Sequence, residues 1–405
     1  MAPLASPRPL HPLGEAAVGA ALGPLAEARP EASSLGFYLH VPFCVARCHY
    51  CSFNTAPLDR VALLRYLRAL AREIDLLGGA AWGTAVCLDT VFFGGGTPSL
   101  LLPDQLAHVL DRLRARFGVA ADAEVTVECN PESVEREMLA AYRQAGVTRI
   151  SLGVQSLDDA VLEFLGRQHS AHTARRAYDA ARAAGFRNVS VDLMYGLPGL
   201  DVAGWTRTLE AVLDWEPDHI SAYGLTLDEG SRWGTQGVTD LPAEDVVVDQ
   251  YWRLVRAAAT RGYEHYEISN YARAGFRARH NLGYWRAGEY LASGPGGCGF
   301  VGGVRYSNAK PVARYCTALE EERLPIDGFE RLTPHQRLAE QLVLGLRTVD
   351  GVPSAWLADR IDADPRLVRR RETWRAAGLL EETPDRVRLT ERGFLLSDTV
   401  FADLV

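Results

Sequence analysis

The sequence predicts an α/β protein built on a parallel sheet, with a small α+β unit at its C-terminal end. Three observations carry this. Six β-type runs, at 37–41, 90–93, 124–128, 149–154, 189–194 and 220–225, alternate with amphipathic helical stretches. Gly146 and Gly185 stand where helices end, each shortly before a β-run. Beyond Arg331 come three helical stretches (336–346, 354–361 and 366–377), a β-run at 387–389 and a last helix, the order of a winged-helix-like domain. Strands that alternate with helices imply right-handed crossovers, and so either an open α/β sheet or a partial TIM-like barrel. In both, chemistry belongs at the carboxyl ends of the strands.

Taken in order, residues 1–34 hold six prolines and little periodicity and read as a disordered N-terminal tail. The barrel or sheet spans 35–270. Its first helix shows Leu63, Leu67, Leu70, Ile74 and Leu77 at alternating spacings of four and three, a single apolar stripe. Leu106, Val109, Leu110, Leu113 and Phe117 form a second stripe. Residues 271–330 form a connecting segment rich in glycine and aromatics, and 331–405 the C-terminal domain.

Composition narrows the function. The formal charge is −8, which disfavours a dedicated nucleic-acid binder. The C-terminal domain, with 12 Arg against 12 Asp and Glu, reads as a docking or structural unit. Lys310 is the only lysine, so no Gly-Lys-Ser/Thr phosphate loop exists. Seven cysteines, three of them within eight positions, are not a disulfide framework; they suit a reducing, cytoplasmic setting with one metal site. No apolar run approaches the ~20 residues that cross a bilayer. The stretch 16–26 is too short for that, and Glu15 stands where a signal peptide is basic.

The first β-run leads into Pro42-Phe43-Cys44-Val45-Ala46-Arg47-Cys48-His49-Tyr50-Cys51. Three thiolates at C-x3-C-x2-C are soft ligands close enough to chelate one centre. With His49 as a fourth ligand they would suit zinc. On an iron–sulfur cubane they would leave one iron open to a small molecule.

Each later β-run ends in polar or flexible residues. The second gives Gly94-Gly95-Gly96-Thr97-Pro98-Ser99, where glycines let backbone approach a ligand and turn N–H groups toward a carboxylate. The next three place Glu128, Gln155 and Asp192 at consecutive strand ends, with Arg167 following. Singly, each reads as a satisfied polar residue or a helix cap; together they mark one barrel face. Cys129 reads as a small buried hydrophobe.

The motif C-x3-C-x2-C followed by Gly-Gly-Gly-Thr-Pro resembles the radical S-adenosylmethionine (SAM) superfamily. Together with Tyr38-Leu39-His40-Val41-Pro42-Phe43-Cys44, Glu128-Cys129-Asn130-Pro131, Gly153-Val154-Gln155-Ser156 and the 192–199 run, it is similar to the oxygen-independent coproporphyrinogen III oxidase family over about 36–400. The resemblance implies a partial (β/α)6 TIM-like barrel of radical SAM type. It implies a 4Fe–4S cluster on Cys44, Cys48 and Cys51, and SAM at Tyr38, Tyr50, Gly95, Gly96, Thr97, Glu128, Gln155, Arg167 and Asp192. An electron donor follows from that chemistry.

Two features point within the family. The oxidases carry a fourth cysteine two positions after the third, and here that position is Phe53. The run His280-Asn281-Leu282-Gly283-Tyr284-Trp285 resembles the H-N-x-x-Y-W motif of the HemW-like haem chaperone branch. That resemblance implies haem at His280, Tyr284 and Trp285, delivery to haem-accepting proteins such as respiratory ones, transient contact with membrane proteins and no nucleic acid. An imidazole can ligate haem iron and aromatics can pack on a porphyrin; read without the resemblance, His280 caps a helix and the aromatics fill the core. The other function open to the family is oxidative decarboxylation of coproporphyrinogen III in porphyrin biosynthesis. Where the branch has a histidine, this chain has Cys298, which reads as a buried inert thiol or, less simply, a haem ligand.

Overall fold

Six parallel strands lie side by side in sequence order: β1 (Ser34–Val41), β2 (Cys87–Gly95), β3 (Val119–Cys129), β4 (Arg149–Gln155), β5 (Val189–Tyr195) and β6 (His219–Gly224). They belong to a computed structural model that describes residues 21–404. Helices α1 (Arg60–Gly78), α2 (Pro103–Phe117), α3 (Arg136–Ala145), α4 (Ala171–Ala183) and α5 (Val202–Leu213) cross between consecutive strands. The result is a partial (β/α)6 TIM-like barrel.

Local chemistry sets these elements. The Asp59 carboxylate caps α1 by accepting from Ala62 N–H, and Ser170 and Asp201 do the same for α4 and α5. Gly146 closes α3 at φ 108°, a left-handed conformation that favours glycine. Leu63, Leu70, Ile74 and Leu77 of α1 are buried, as is the whole second stripe on α2. The outer faces of the strands complete the core with Val91, Phe93, Val127, Leu152, Val191 and Ile220.

Residues 264–331, which span the connecting segment, extend the sheet at both edges. Tyr290–Ser293 pairs parallel with β1, and Cys298–Val301, Val304–Asn308 and Ile326–Arg331 add antiparallel strands beyond it. At the other edge Asn270–Ala272 pairs antiparallel with β6 and is followed by Glu264–Glu267. These strands are three to six residues long, too short to show a periodicity.

The expected disordered tail is corrected over 21–34. Leu22, Leu25 and Ala28 are buried, Leu324 N–H donates to Ala21 O, and Glu31 and Ala32 N–H groups donate to the Glu289 carboxylate. Prolines there stiffen a segment that packs against the added strands. Residues 1–20 of that expectation lie outside the described residues.

At the C-terminal end, Pro334–Leu346, Ser354–Ala363 and Arg366–Ala376 are helices, joined by a three-stranded sheet whose hairpin is Leu380–Glu382 with Arg386–Leu389. This winged-helix-like arrangement has its own apolar cluster around Leu342, Leu357, Trp374, Val387 and Leu404.

One buried acid ties the added strands to the barrel. Glu73, on α1, accepts hydrogen bonds from Gly294 N–H at 2.9 Å, Asn308 Nδ2 at 2.6 Å and Tyr315 Oη at 2.5 Å. Burial pushes its pKa up to about 7 despite these bonds. Glu73→Ala leaves the Gly294 N–H and the Tyr315 hydroxyl unpaired and removes one of the two acceptors of Asn308 Nδ2, and should destabilise the chain by about 3 kcal/mol. Glu73→Gln, which keeps an acceptor, should lose less. Urea denaturation of both variants measures the difference.

Candidate functional site

The site forms at the carboxyl ends of the barrel strands, and its first part is the cysteine loop. Phe43–Cys44 pairs parallel with Ala56–Pro57, which closes the loop at its base. His49 N–H donates to Leu165 O and Trp233 N–H donates to His49 O, so the short helices Asp159–Leu165 and Arg232–Gln236, beyond β4 and β6, clamp it from two sides. The Arg47 guanidinium donates to Cys51 O and Gly230 O. His49 Nδ1 bonds to Phe164 O at 3.0 Å, its ring lies against Gly166, and it does not line the cavity of the three cysteines. The alternative of a zinc site with His49 as fourth ligand is therefore corrected.

The glycine triplet has a different task from the one expected. Gly96 N–H donates to Val41 O and Thr97 N–H to Phe43 O, while Gly95 N–H points to Glu128 Oε2 at 3.3 Å. These groups bond to protein. A Cβ at Gly96 would sit 2.7 Å from Phe43 O, so glycine lets the root of the cysteine loop lie directly on the end of β2.

Cys44, Cys48 and Cys51 line one cavity of about 330 Å³. The same cavity is lined by Tyr50, Gly95, Gly96 and Thr97, and on its inner wall by Glu128, Gln155, Arg167 and Asp192. Sequence spacing therefore brings most of the expected cofactor residues together. Among the described residues, no three His, Cys, Asp or Glu side chains converge closely enough to hold a single metal ion. The donor set is three thiols spread around a cavity, which suits a body larger than one ion.

The inner wall holds two buried, desolvated carboxyl groups. Burial pushes Glu128 up to about 8, and the neighbouring Asp192 charge adds to the rise. Burial also raises Asp192, to about 6, against hydrogen bonds from Ser151 Oγ at 3.0 Å and Ser190 Oγ at 3.3 Å. Gln155 takes a positive φ of 65°, and its Oε1 accepts from Tyr223 Oη at 3.0 Å.

Four expected residues are not brought to the cavity. Tyr38 lies behind Gly94, and its hydroxyl is held by His40 Nδ1 at 3.0 Å. His280 sits deep in the barrel at the opposite end, on the helix Arg279–Trp285. Its Nδ1 bonds to Thr90 Oγ1 at 2.8 Å and its Nε2 to Tyr284 Oη at 2.7 Å, while Phe92 stacks on the ring. Tyr284 packs edge-on against Tyr290, and Trp285 carries the Arg347 guanidinium 4.6 Å above its ring. Both ring nitrogens thus have hydrogen-bond partners within the protein, and Phe92 covers one ring face. The place of His280 is the barrel floor. Cys298, expected to be buried, is exposed, and its thiol approaches Gly296 O at 3.8 Å.

The sequence reading missed Tyr223, Asn130 and Ser151 on the cavity wall. Tyr223 was legible, since the rule of one polar residue per strand end extends to the sixth strand. Ser151 was not, because it lies inside an apolar run.

Residues 38–212 match the Radical SAM superfamily, and residues 332–396 match the HemN C-terminal domain. The structure of coproporphyrinogen III oxidase (HemN) from Escherichia coli has the same fold, with a TM-score of 0.81 over 97% of this chain and 93% of that one, at 22% identity. Barrel, cysteine cavity and C-terminal unit thus define a radical SAM protein, a class whose cofactors are a 4Fe–4S cluster and SAM.

A "Heme chaperone HemW" of Mycobacterium tuberculosis is 42% identical over 376 residues, 91% of this chain and 94% of the relative. Its namesake in Bacillus subtilis is 32% identical over 90% and 97%. The chain belongs to the HemW-like branch of the radical SAM HemN family. Among the described residues no helix is long and apolar enough to cross a membrane.

Burial holds His280 neutral, with the Arg149 charge adding to the effect, and its pKa falls to about 3. The folded state binds this proton less readily than the unfolded chain, whose imidazole has a pKa near ~6.5. Its contribution to stability is therefore complete above that value and lost as pH falls toward 3. Between pH 6.5 and 4.5, His280→Asn should flatten the loss of stability by up to about 1.4 kcal/mol per pH unit, while lowering stability at pH 7. Denaturant titrations across that pH range measure both effects.

Proposed function

We propose that this chain is a haem chaperone. It holds a 4Fe–4S cluster on Cys44, Cys48 and Cys51, binds SAM in the adjoining cavity, and passes haem to acceptor proteins. The observation that carries this reading is the 42% identity to a haem chaperone along nearly the whole of both chains. Phe53, 61% exposed at the cavity mouth where the resembling oxidases have a cysteine, agrees with it.

When bound, the cluster and SAM supply one-electron chemistry. The chain's own residues do the rest. Three thiolates anchor the cluster, and the clamped loop fixes their spacing. Gln155 and the Thr97 hydroxyl offer neutral hydrogen bonds, and Arg167 offers a guanidinium to a carboxylate. Glu128 and Asp192 present negative charge to a cationic ligand such as a sulfonium or ammonium group. His280, with Thr90 and Tyr284, serves the barrel floor. The partners of this reading are haem, haem-accepting proteins and an electron donor.

Anaerobic incubation with coproporphyrinogen III, SAM and dithionite tests the function. No protoporphyrinogen should form, while haem titration of the same preparation should give a saturable Soret change. Turnover of coproporphyrinogen would replace the chaperone reading with the oxidase.

The carboxylates give a pH signature. Before ligand binding, Glu128 is largely protonated below about 8 and Asp192 below about 6. A cation favours their ionised forms, so binding releases protons and tightens as pH rises. Between pH 6 and 7.5, SAM affinity should increase by up to about tenfold per pH unit. Glu128→Gln should remove most of that slope. Calorimetric titration in buffers of different ionisation enthalpy measures the proton released.

A further inference from the structure

Each sulfur of the cysteine loop faces a hydrogen-bond donor, and the three donors differ in charge. The Thr97 hydroxyl donates to Cys44 Sγ at 3.5 Å. Burial pushes the Cys51 thiol up, and the Phe53 backbone N–H works against that rise. At Cys48 the donor is Arg167, whose Nη1 lies 3.5 Å from Sγ. Only this one is a cation.

Arg167 is held in place. Its Nη2 donates to Gly153 O at 2.7 Å and Asn130 Oδ1 at 2.9 Å, which ties the guanidinium to the ends of β3 and β4. Its Nε is buried and without a partner. The chain turns into Arg167 at Gly166, φ 76°, and Leu165 O in the same turn accepts from His49 N–H of the cysteine loop. One turn thus positions both the cation and the sulfur it meets. Burial works against the charge of Arg167, yet the neighbouring Tyr50, Cys48 and Glu132 outweigh it and the pKa ends above the ordinary arginine value.

We infer, on the cluster reading proposed above, that Arg167 is a positioning residue that raises the reduction potential of the cluster through Cys48. Hydrogen bonds to ligand sulfurs and net charge are what set such potentials. One electron from an external low-potential donor makes the cluster and its three thiolates more negative by one charge. No proton moves and no bond breaks at Cys48. A fixed cation bonded to that sulfur stabilises the reduced form more than the oxidised one. The role differs from contact with SAM, because it acts with SAM absent.

The test uses the full chain, reconstituted anaerobically without SAM or haem, as wild type, Arg167→Gln and Arg167→Lys. Iron and sulfide are counted, and the midpoint is titrated with dithionite and followed by electron paramagnetic resonance. Arg167→Gln should keep four irons and become harder to reduce by about tenfold or more, ~59 mV for one electron. Arg167→Lys, which keeps the charge, should recover most of that shift; a loss of packing alone would not be rescued this way. A four-iron Arg167→Gln protein with an unmoved midpoint overturns the inference.

Should Arg167→Gln fail to retain iron, wild type grown with ¹⁵N-arginine decides. A ¹⁵N hyperfine coupling to the reduced cluster that disappears in Arg167→Lys supports the contact, and its absence from wild type overturns it. A wild-type chain that takes up no iron and sulfide refutes the cluster reading itself, and this inference with it.

Discussion

A parallel barrel forces its inward side chains to face one another, and here that constraint places buried charge at the centre of the molecule. Side chains alternate along a strand, so residues paired in register share a wall. Glu128 pairs with Ser151, Ser151 with Ser190, and Asp192 with Ser221. The strands thereby deliver two carboxylates and a ring of hydroxyls to one interior. Burial raises both acids, and the Asp192 charge adds to the rise of Glu128. Ionising both in a buried cavity is costly, and a cationic ligand offsets that cost.

The cysteine loop depends on the same end of the barrel. Its shape is not set by its own sequence, since it is closed by Ala56–Pro57, clamped by Leu165 and Trp233, and seated on glycines of β2. The glycine triplet illustrates how a correct location can carry the wrong mechanism. Its place beside the cysteines was legible from strand order. Its use for loop-to-strand packing was not, because the acceptors Val41 O and Phe43 O come from another strand's end.

Most of the barrel was legible because each strand and helix is long enough to show its period. The expected run 149–154 and the observed Arg149–Gln155 differ by one residue, and the C-terminal helices by one or two. What stayed illegible depends on distant partners. Tyr290–Ser293 becomes a strand only because β1 offers it an edge, and the segment after Ala21 is ordered only because Leu22 and Leu25 find a pocket against the added strands. His280 is the sharpest case. A histidine followed by aromatics has the chemistry of a haem ligand, but spacing cannot reveal that Thr90 and Tyr284 already hold both nitrogens.

The floor shows how the fold itself uses the residues of that motif. The helix Arg279–Trp285 has no cap of its own; Ala278 stands at the capping position. Its first two N–H groups donate instead to the two oxygens of Glu124, a carboxylate on β3. Glu124 faces the helix at the lower end of the strand that carries Glu128 to the cavity at its upper end. The polar residues of the floor thus complete one another, which is the condition for burying them. On the far side, Trp285 packs beneath Arg347, so the same helix meets the C-terminal unit, and the strand Glu264–Glu267 adds a bond from Val349 N–H to Tyr266 O. One end of β3 therefore fastens the molecule together with a fully bonded carboxylate, and the other holds a carboxylate with one long bond, from Gly95 N–H at 3.3 Å. The same residue type is structural where the fold supplies its partners and chemical where it does not.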